Sequence, residues 1–295
     1  MIRELRMFQN LSQEELSDGI CAPETLSRIE KQKRKPQRRI LDALLKKLNY
    51  ERNRYQGYVI TDSYYVYELV GEINECGYKG NLEKEQELLE ELKHLIDLEI
   101  PVNRQCIEYI ELLKKRNQHQ ITNLESIEKA KKILSYTMKH YDNKVYRALS
   151  RIEFIILLHI AVCFKREEMY EKADNIYHQL IEYYGDMSAK NHMDSIGLFY
   201  INYVGMLEES DRLVEAEKVG WKGIRFLIET GIGDMVGTLL GNIACIYEKG
   251  ITKETERMGK ACLKNSYILL MLYENPNDAK VISDYYVNKY KKDIL

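Results

Sequence analysis

Proline is scarce in this chain of 295 residues: four occur, and none falls between Pro101 and Pro276. So long a stretch without proline, rich in Leu, Glu, Lys and Ile, excludes most all-β architectures and predicts an all-α chain. Long apolar runs are lacking as well. The most apolar segment, 154–164, is 11 residues long and contains His159, well short of the roughly 20 needed to cross a bilayer. Arg3, Glu4 and Arg6 place charge at the very start, which is not the makeup of a secretory signal, so a cytoplasmic location is expected. The six cysteines, at 21, 76, 106, 163, 245 and 262, show no CxxC spacing. That pattern suits reduced, mostly buried thiols and not a disulfide framework or a zinc site. No GxxxxGK[ST], GxGxxG, HExxH or GxSxG motif occurs, and the six histidines have no metal-ligand spacing. Glu14-Glu15 and Glu90-Glu91 read as solvated helix surface. No enzyme, cofactor or metal is expected.

Charge is what the sequence distributes unevenly. The net charge is −2, yet residues 1–50 carry a balance of +4 and the remainder −6. Within 28–39 seven basic residues (Arg28, Lys31, Lys33, Arg34, Lys35, Arg38, Arg39) face one acid, Glu30. A basic head on an acidic body is the pattern of a nucleic-acid-binding module joined to something else.

The head reads as short helices. Ser12 and Glu15 have capping-box spacing, and Leu11 can staple onto Leu16. Gly19 stops this helix, and Pro23 opens the next at its first position. Leu26 and Ile29 face inward, leaving Glu24, Thr25, Ser27, Arg28 and Lys31 outside. A further helix after Pro36 carries Ile40, Leu41, Leu44, Leu45 and Leu48 on one side. The tight turn between the second and third helices makes a helix-turn-helix.

Ile2-Arg3-Glu4-Leu5-Arg6, Leu11-Ser12-Gln13-Glu14-Glu15-Leu16 and Thr25-Leu26-Ser27-Arg28-Ile29-Glu30, with Lys33-Arg34-Lys35-Pro36, closely resemble the phage-repressor/Cro (XRE) DNA-binding domain. The resemblance implies that Gln13 contacts phosphate at the start of the second helix. It places Glu24, Thr25, Ser27 and Arg28 at the major groove, and Lys31, Lys33 and Arg34 at backbone phosphates. Three departures stand out: a short first helix, Ala22 where a Ser or Thr cap is usual, and Gln32 where glycine is usual. Glu24 is also an acid facing DNA, able to accept from cytosine but repelled by phosphate.

From about residue 60 the chain becomes helix pairs. Leu124-Glu125-Ser126-Ile127-Glu128-Lys129-Ala130 is echoed by Tyr170-Glu171-Lys172-Ala173, Leu213-Val214-Glu215-Ala216 and Met258-Gly259-Lys260-Ala261, the alanines 43, 43 and 45 residues apart. The preceding helices align as Leu158-His159-Ile160-Ala161, Ile201-Asn202-Tyr203-Val204 and Gly241-Asn242-Ile243-Ala244. Such a period marks a helical solenoid with alanines at close helix contacts. The predicted architecture is an N-terminal helix-turn-helix domain (1–50), a linker (51–59) and about five tetratricopeptide-like helix pairs (60–295).

A repressor-type head before such repeats resembles the peptide-responsive RRNPP regulators of Gram-positive bacteria. That resemblance implies a short signalling peptide on the concave repeat face, a homodimer and a DNA operator. It casts Asn202 and Asn242, with His159 in the matching place, as ligand contacts, since a carboxamide both donates to and accepts from extended backbone. Phe199, Tyr200 and Tyr203 are candidate pocket walls. The competing expectations are that the asparagines bond within their own repeats, and that the chain is a protein-interaction adaptor whose head no longer reads DNA.

Overall fold

The computed structural model describes residues 2–8, 11–31, 33–34, 36, 38–48, 58–61, 63–138, 149–185, 193–230, 233, 235–250 and 252–294; Gln32 and the expected linker up to residue 57 lie outside them. Among the described residues every regular element is helical. Two compact units emerge: Met1–Cys163 with Gln179–Met187, and Phe164–His178 with Ser188–Leu295.

The first unit begins with four short helices, α1 (Ile2–Phe8), α2 (Gln13–Ser17), α3 (Pro23–Glu30) and α4 (Arg38–Lys47). Ser12 and Glu15 exchange side-chain and backbone bonds in a full capping box, and Gly19 takes the left-handed conformation (φ 72°) that ends α2. Pro23 opens α3, and Ala22 offers it no side-chain cap. Leu16, Leu26, Ile29, Leu44, Leu45 and Leu48 form the buried core with Ile2, and Leu11, Ile40 and Leu41 pack against it. A core this small is cross-braced by a buried ion pair. Arg6 donates from Nε to Glu30 Oε1 (2.7 Å), from Nη2 to Glu30 Oε2 (3.1 Å) and from Nη1 to the Leu11 carbonyl (2.7 Å).

The same unit continues with α5 (Tyr64–Lys79), α6 (Leu82–Leu95), α7 (Pro101–Asn117), α8 (Asn123–Leu134) and most of α9 (Arg151–Arg166). Helices α5 and α6 pack as a pair, as do α7 and α8. Buried Asn103 clamps the strand of chain before α5: its amide donates to the Ile60 and Asp97 carbonyls and its oxygen accepts from Ile60 N–H. Gln105 ties α7 to the end of α8 through the Ile133 carbonyl and Thr137. These polar bonds satisfy groups that would otherwise be stranded in the core.

The second unit holds the start of α10 (Tyr170–Gly185), then α11 (Met193–Glu209), α12 (Leu213–Thr230), α13 (Val236–Lys249), α14 (Lys253–Leu272) and α15 (Pro276–Tyr290). From α11 onward each helix packs on the next, and α11 also packs on α13, the stacking of first helices that defines a solenoid. The turns inside several pairs share one device. Gly80, His119, Glu168 and Asp211 all adopt positive φ, between 56° and 72°. The next residue's N–H then reaches back five residues: Asn81 to Cys76, Gln120 to Lys115, Met169 to Phe164, Arg212 to Leu207. This is the Schellman closure, made at three of the four turns without the glycine that usually permits it.

The alanine register holds for three repeats and is corrected in the fourth. Ala130, Ala173 and Ala216 are fully buried, whereas Ala261 is exposed and Gly259 takes the buried position. The true recurrence is therefore 130, 173, 216 and 259, a constant 43. A side chain at 259 would meet Glu248 Cγ at 3.1 Å and the Ala244 carbonyl at 3.5 Å, so the last pair needs glycine where others tolerate alanine.

Candidate functional sites

Helix α3 presents the head's outer face. Glu24, Arg28 and Lys31 are exposed, Thr25 and Ser27 half-buried, and Lys33 and Arg34 stand exposed just beyond the helix. The inner row of the same helix is Leu26, Ile29 and Glu30, so helical phase alone separates the groups available to a ligand from those holding the domain. Arg28 and Lys31 lie one turn apart with Glu24 one turn before them, giving a cationic surface with one acid at its leading edge.

Gln13, half-buried at the start of α2, donates one Nε2 hydrogen to Glu30 Oε2 at 2.6 Å, bridging α2 to the Arg6–Glu30 pair and keeping its second amide hydrogen. Burial pushes the Glu30 carboxyl up, but hydrogen bonds from Arg6 and Gln13 outweigh it and hold the group below the ordinary carboxylate range. This network was the feature least expected. Its signal is a lone acid, Glu30, four residues after Leu26 on the apolar row.

The second candidate lies in unit 2, where the repeats bring Asn202 (α11) and Asn242 (α13) to one cleft of about 270 Å³, lined also by Lys165, Ile201, Gly205, Glu208, Glu209 and Cys245. Ile201, Asn202, Gly205, Glu208 and Glu209 of α11 supply its floor, at spacings of three and four that keep residues on one helix face. Asn202 Nδ2 donates to the Leu198 carbonyl of its own helix at 2.8 Å. Asn242 Nδ2 donates across to the Ile201 carbonyl of α11 at 3.0 Å. Among the described residues neither carboxamide oxygen accepts a bond, and each amide keeps one further N–H, leaving both asparagines able to donate and accept.

Charged pairs frame the cleft: Lys165 Nζ to Glu209 at 2.7 Å, and Lys249 Nζ to Glu208 at 2.7 Å. Lys289 continues the row on α15, 3.0 Å from Glu248. These pairs recur at the C-terminal ends of successive first helices, and their signal was the repetition of Glu208-Glu209 as Glu248-Lys249 forty residues on. The Lys249 ammonium is held protonated more firmly by its bond to Glu208. Partial burial, then the Glu208 and Glu248 carboxylates, push the Cys245 thiol up, away from thiolate reactivity.

Three expected ligand contacts lie elsewhere. Phe199 and Tyr203 are core: Tyr203 stacks on Tyr177 (centroids 4.8 Å apart, planes at 14°), and Phe199 packs edgewise on both Tyr177 and Tyr200. Their helical phase is the reason, since 199, 203 and 206 form a row about a quarter turn round the helix from Asn202 and Gly205. His159 is buried in unit 1, its Nε2 2.8 Å from Ser126 Oγ and its ring edge-on to Tyr109, and it is not among the cleft's lining residues.

Residues 2–53 match the helix-turn-helix family model, and the head is a helix-turn-helix domain of that kind. Over its whole length the chain shares a fold with solved bacterial regulators. PlcR of Bacillus thuringiensis, solved in complex with the peptide PapR7 and DNA, is 17% identical with a TM-score of 0.64, covering 95% of this chain and 96% of that one. ComR of S. thermophilus, solved with DNA and its signalling peptide, is 14% identical with a TM-score of 0.57 over 97% of each chain. The SHP pheromone receptor Rgg2 of Streptococcus dysgalactiae is 14% identical with a TM-score of 0.52 over 98% of each. No curated protein sequence matches the chain. Among the described residues no helix is long and apolar enough to cross a membrane.

Proposed function

We propose that the protein is a cytoplasmic DNA-binding transcription regulator, not an enzyme, whose repeat unit senses a short peptide and whose two copies bind an operator as a homodimer. The observation that carries this reading is the pairing of a helix-turn-helix head with a repeat cleft in which Asn202 and Asn242 stand together. The fold shared with PlcR, ComR and Rgg2 supports it. On the DNA side, Arg28 supplies a guanidinium that can read guanine, and Lys31, Lys33 and Arg34 supply sequence-independent attraction to phosphate.

On the ligand side, an extended peptide presents N–H and C=O in alternation. Each asparagine keeps one acceptor and one donor toward the cleft, which matches one peptide unit. The framing lysines and glutamates already neutralise one another, so the cleft reads backbone in preference to charge. Gly205, without a side chain, leaves the floor between the asparagines low.

The test is a fluorescence anisotropy titration of the full chain with DNA fragments selected by the protein itself, run at several salt concentrations. The expected result is tight binding with a steep inverse dependence on salt, weakened about tenfold or more by Arg28→Ala. Selected fragments bound no better than random DNA would overturn the regulator reading.

A further inference from the structure

Six glycines lie inside helices α11 to α13, and five of them are there for packing. A side chain would drive into Met235 from position 197, meet Ile243 Cγ1 at 2.8 Å from 220 and Tyr200 Cγ at 2.6 Å from 223. From 237 it would meet Leu270 Cγ at 2.9 Å, and from 241 Ile282 Cδ1 at 3.1 Å. Gly205 differs. Beyond its own helix, a methyl group there would touch only the Lys165 ammonium, at an ordinary contact distance of 3.5 Å. Inside a helix glycine is a weaker choice than alanine, so neither packing nor helix stability accounts for the missing side chain.

The cleft accounts for it. Gly205 is half-buried on the floor, one turn after Asn202, with Asn242 and Lys165 lining the same space of about 270 Å³. A glycine lets a second backbone come close to the first. Lys165 brings a donor to the same spot, its Nζ 2.7 Å from Glu209 and beside the place where a side chain at 205 would begin. The Lys165 side chain is only 18% exposed, which holds the ammonium at the floor and not out in bulk water. An ammonium has three N–H donors, and the pair with Glu209 occupies one. Glu209 already balances its charge, so a neutral carbonyl suits the remaining donors better than a carboxylate facing Glu208 and Glu209.

We infer that the ligand's main chain descends onto α11 at Gly205, where Lys165 Nζ donates to one of its carbonyl oxygens, so that Gly205 and Lys165 set what the cleft admits. The class admitted is an extended peptide whose residue at this point turns its side chain away from α11. This rests on the peptide reading of the cleft, and adds to the two asparagines a third polar contact and a limit on bulk.

The test equilibrates the full-length protein with a library of N-acetyl hexapeptide amides; the most enriched member is resynthesised with a fluorophore and titrated by anisotropy. Gly205→Ala should melt no lower than wild type, since alanine fits there and favours the helix. It should nevertheless bind the peptide about tenfold more weakly, because the methyl lifts the main chain off its hydrogen bonds. Gly205→Val should bind more weakly still, and Lys165→Met should also lose about tenfold. Thioamides, poorer acceptors, placed one at a time along the peptide should reveal one position that weakens binding to wild type but not to Lys165→Met. A Gly205→Ala protein that melts lower or binds as tightly as wild type would overturn the inference, as would thioamide effects that all persist in Lys165→Met. Affinity lost in Asn202→Ala but kept in Gly205→Ala would remove this inference alone and leave the peptide reading standing. A library from which nothing is enriched, or a peptide indifferent to both substitutions, would remove the two together.

Discussion

At the scale of single residues, Glu30 is the polar joint of three of the head's helices. It joins α3 to α1 through Arg6 and to α2 through Gln13, and its side chain is only 1% exposed. Removing its charge strands the Arg6 guanidinium, so Glu30→Gln should destabilise the head by about 3–5 kcal/mol, read as a lowered melting midpoint by circular dichroism. The folded-state carboxyl titrates below its ordinary value, so its contribution is complete above the usual carboxylate range and fades as pH falls through the folded value. The gap in stability between wild type and Glu30→Gln should therefore narrow on acidification; a gap independent of pH would show that the carboxylate's charge is not what stabilises.

The two asparagines, though matched in the repeats, should behave differently. Asn242 donates across helices to Ile201, while Asn202 donates within its own helix to Leu198. Asn242→Ala should therefore cost about 1 kcal/mol of stability in addition to ligand affinity, because it removes a hydrogen bond between α13 and α11. Asn202→Ala should leave the melting temperature nearly unchanged. Melting curves of both variants decide this, and equal stability losses would place Asn202 in the structural framework too.

At the scale of elements, the corrected repeat register can be tested directly. Leucine at 259 would drive into Glu248 and the α13 backbone, and Glu248 is pinned by Tyr285, Tyr290 and Lys289. Gly259→Leu should cost about 1–3 kcal/mol by overpacking, whereas Ala261→Leu, on the exposed side of α14, should stay within about 0.5 kcal/mol of wild type in urea unfolding. Comparable losses would restore alanine 261 to the contact.

The same helix shows why the sequence was legible only in part. Helical class, pair number and the head's capping box follow from spacing, because local bonds and apolar phase decide them. The register at 259 did not, because glycine and alanine both serve close helix contacts and only the distance between α13 and α14 chooses. Phe199 and Tyr203 misled for a related reason: apolarity surrounds α11 on nearly every side, so the sequence could not say which row turns inward. Gln13 shows a third limit, since its bond to an acid 17 residues away comes from the packing of α2 on α3 and not from local spacing. That Asn202 and Asn242 line one cleft was legible, because polar residues at one repeat position in apolar helices stand out against that background.

At the scale of the whole molecule, operator recognition sets a geometric demand. On the proposed reading, one head of this size would offer DNA a single recognition helix, α3, and so reach one half-site of a few base pairs, too few to specify a genomic address. A two-fold dimer doubles the contact and requires half-sites about 34 Å apart, one turn of DNA, or a multiple of that. If the heads act as a pair, inserting about 5 base pairs between the half-sites turns one of them to the opposite face of the duplex, and inserting about 10 brings it back. Affinity should then fall by the full contribution of one head on the first insertion and recover at least in part on the second. Electrophoretic mobility on the three operators, at one protein concentration series and fixed salt, reads this directly. Affinity falling on the first insertion without recovery on the second would mean a fixed spacing with no tolerance for a longer reach. Affinity indifferent to both would mean that each head binds alone, and the homodimer would then have no part in reading DNA.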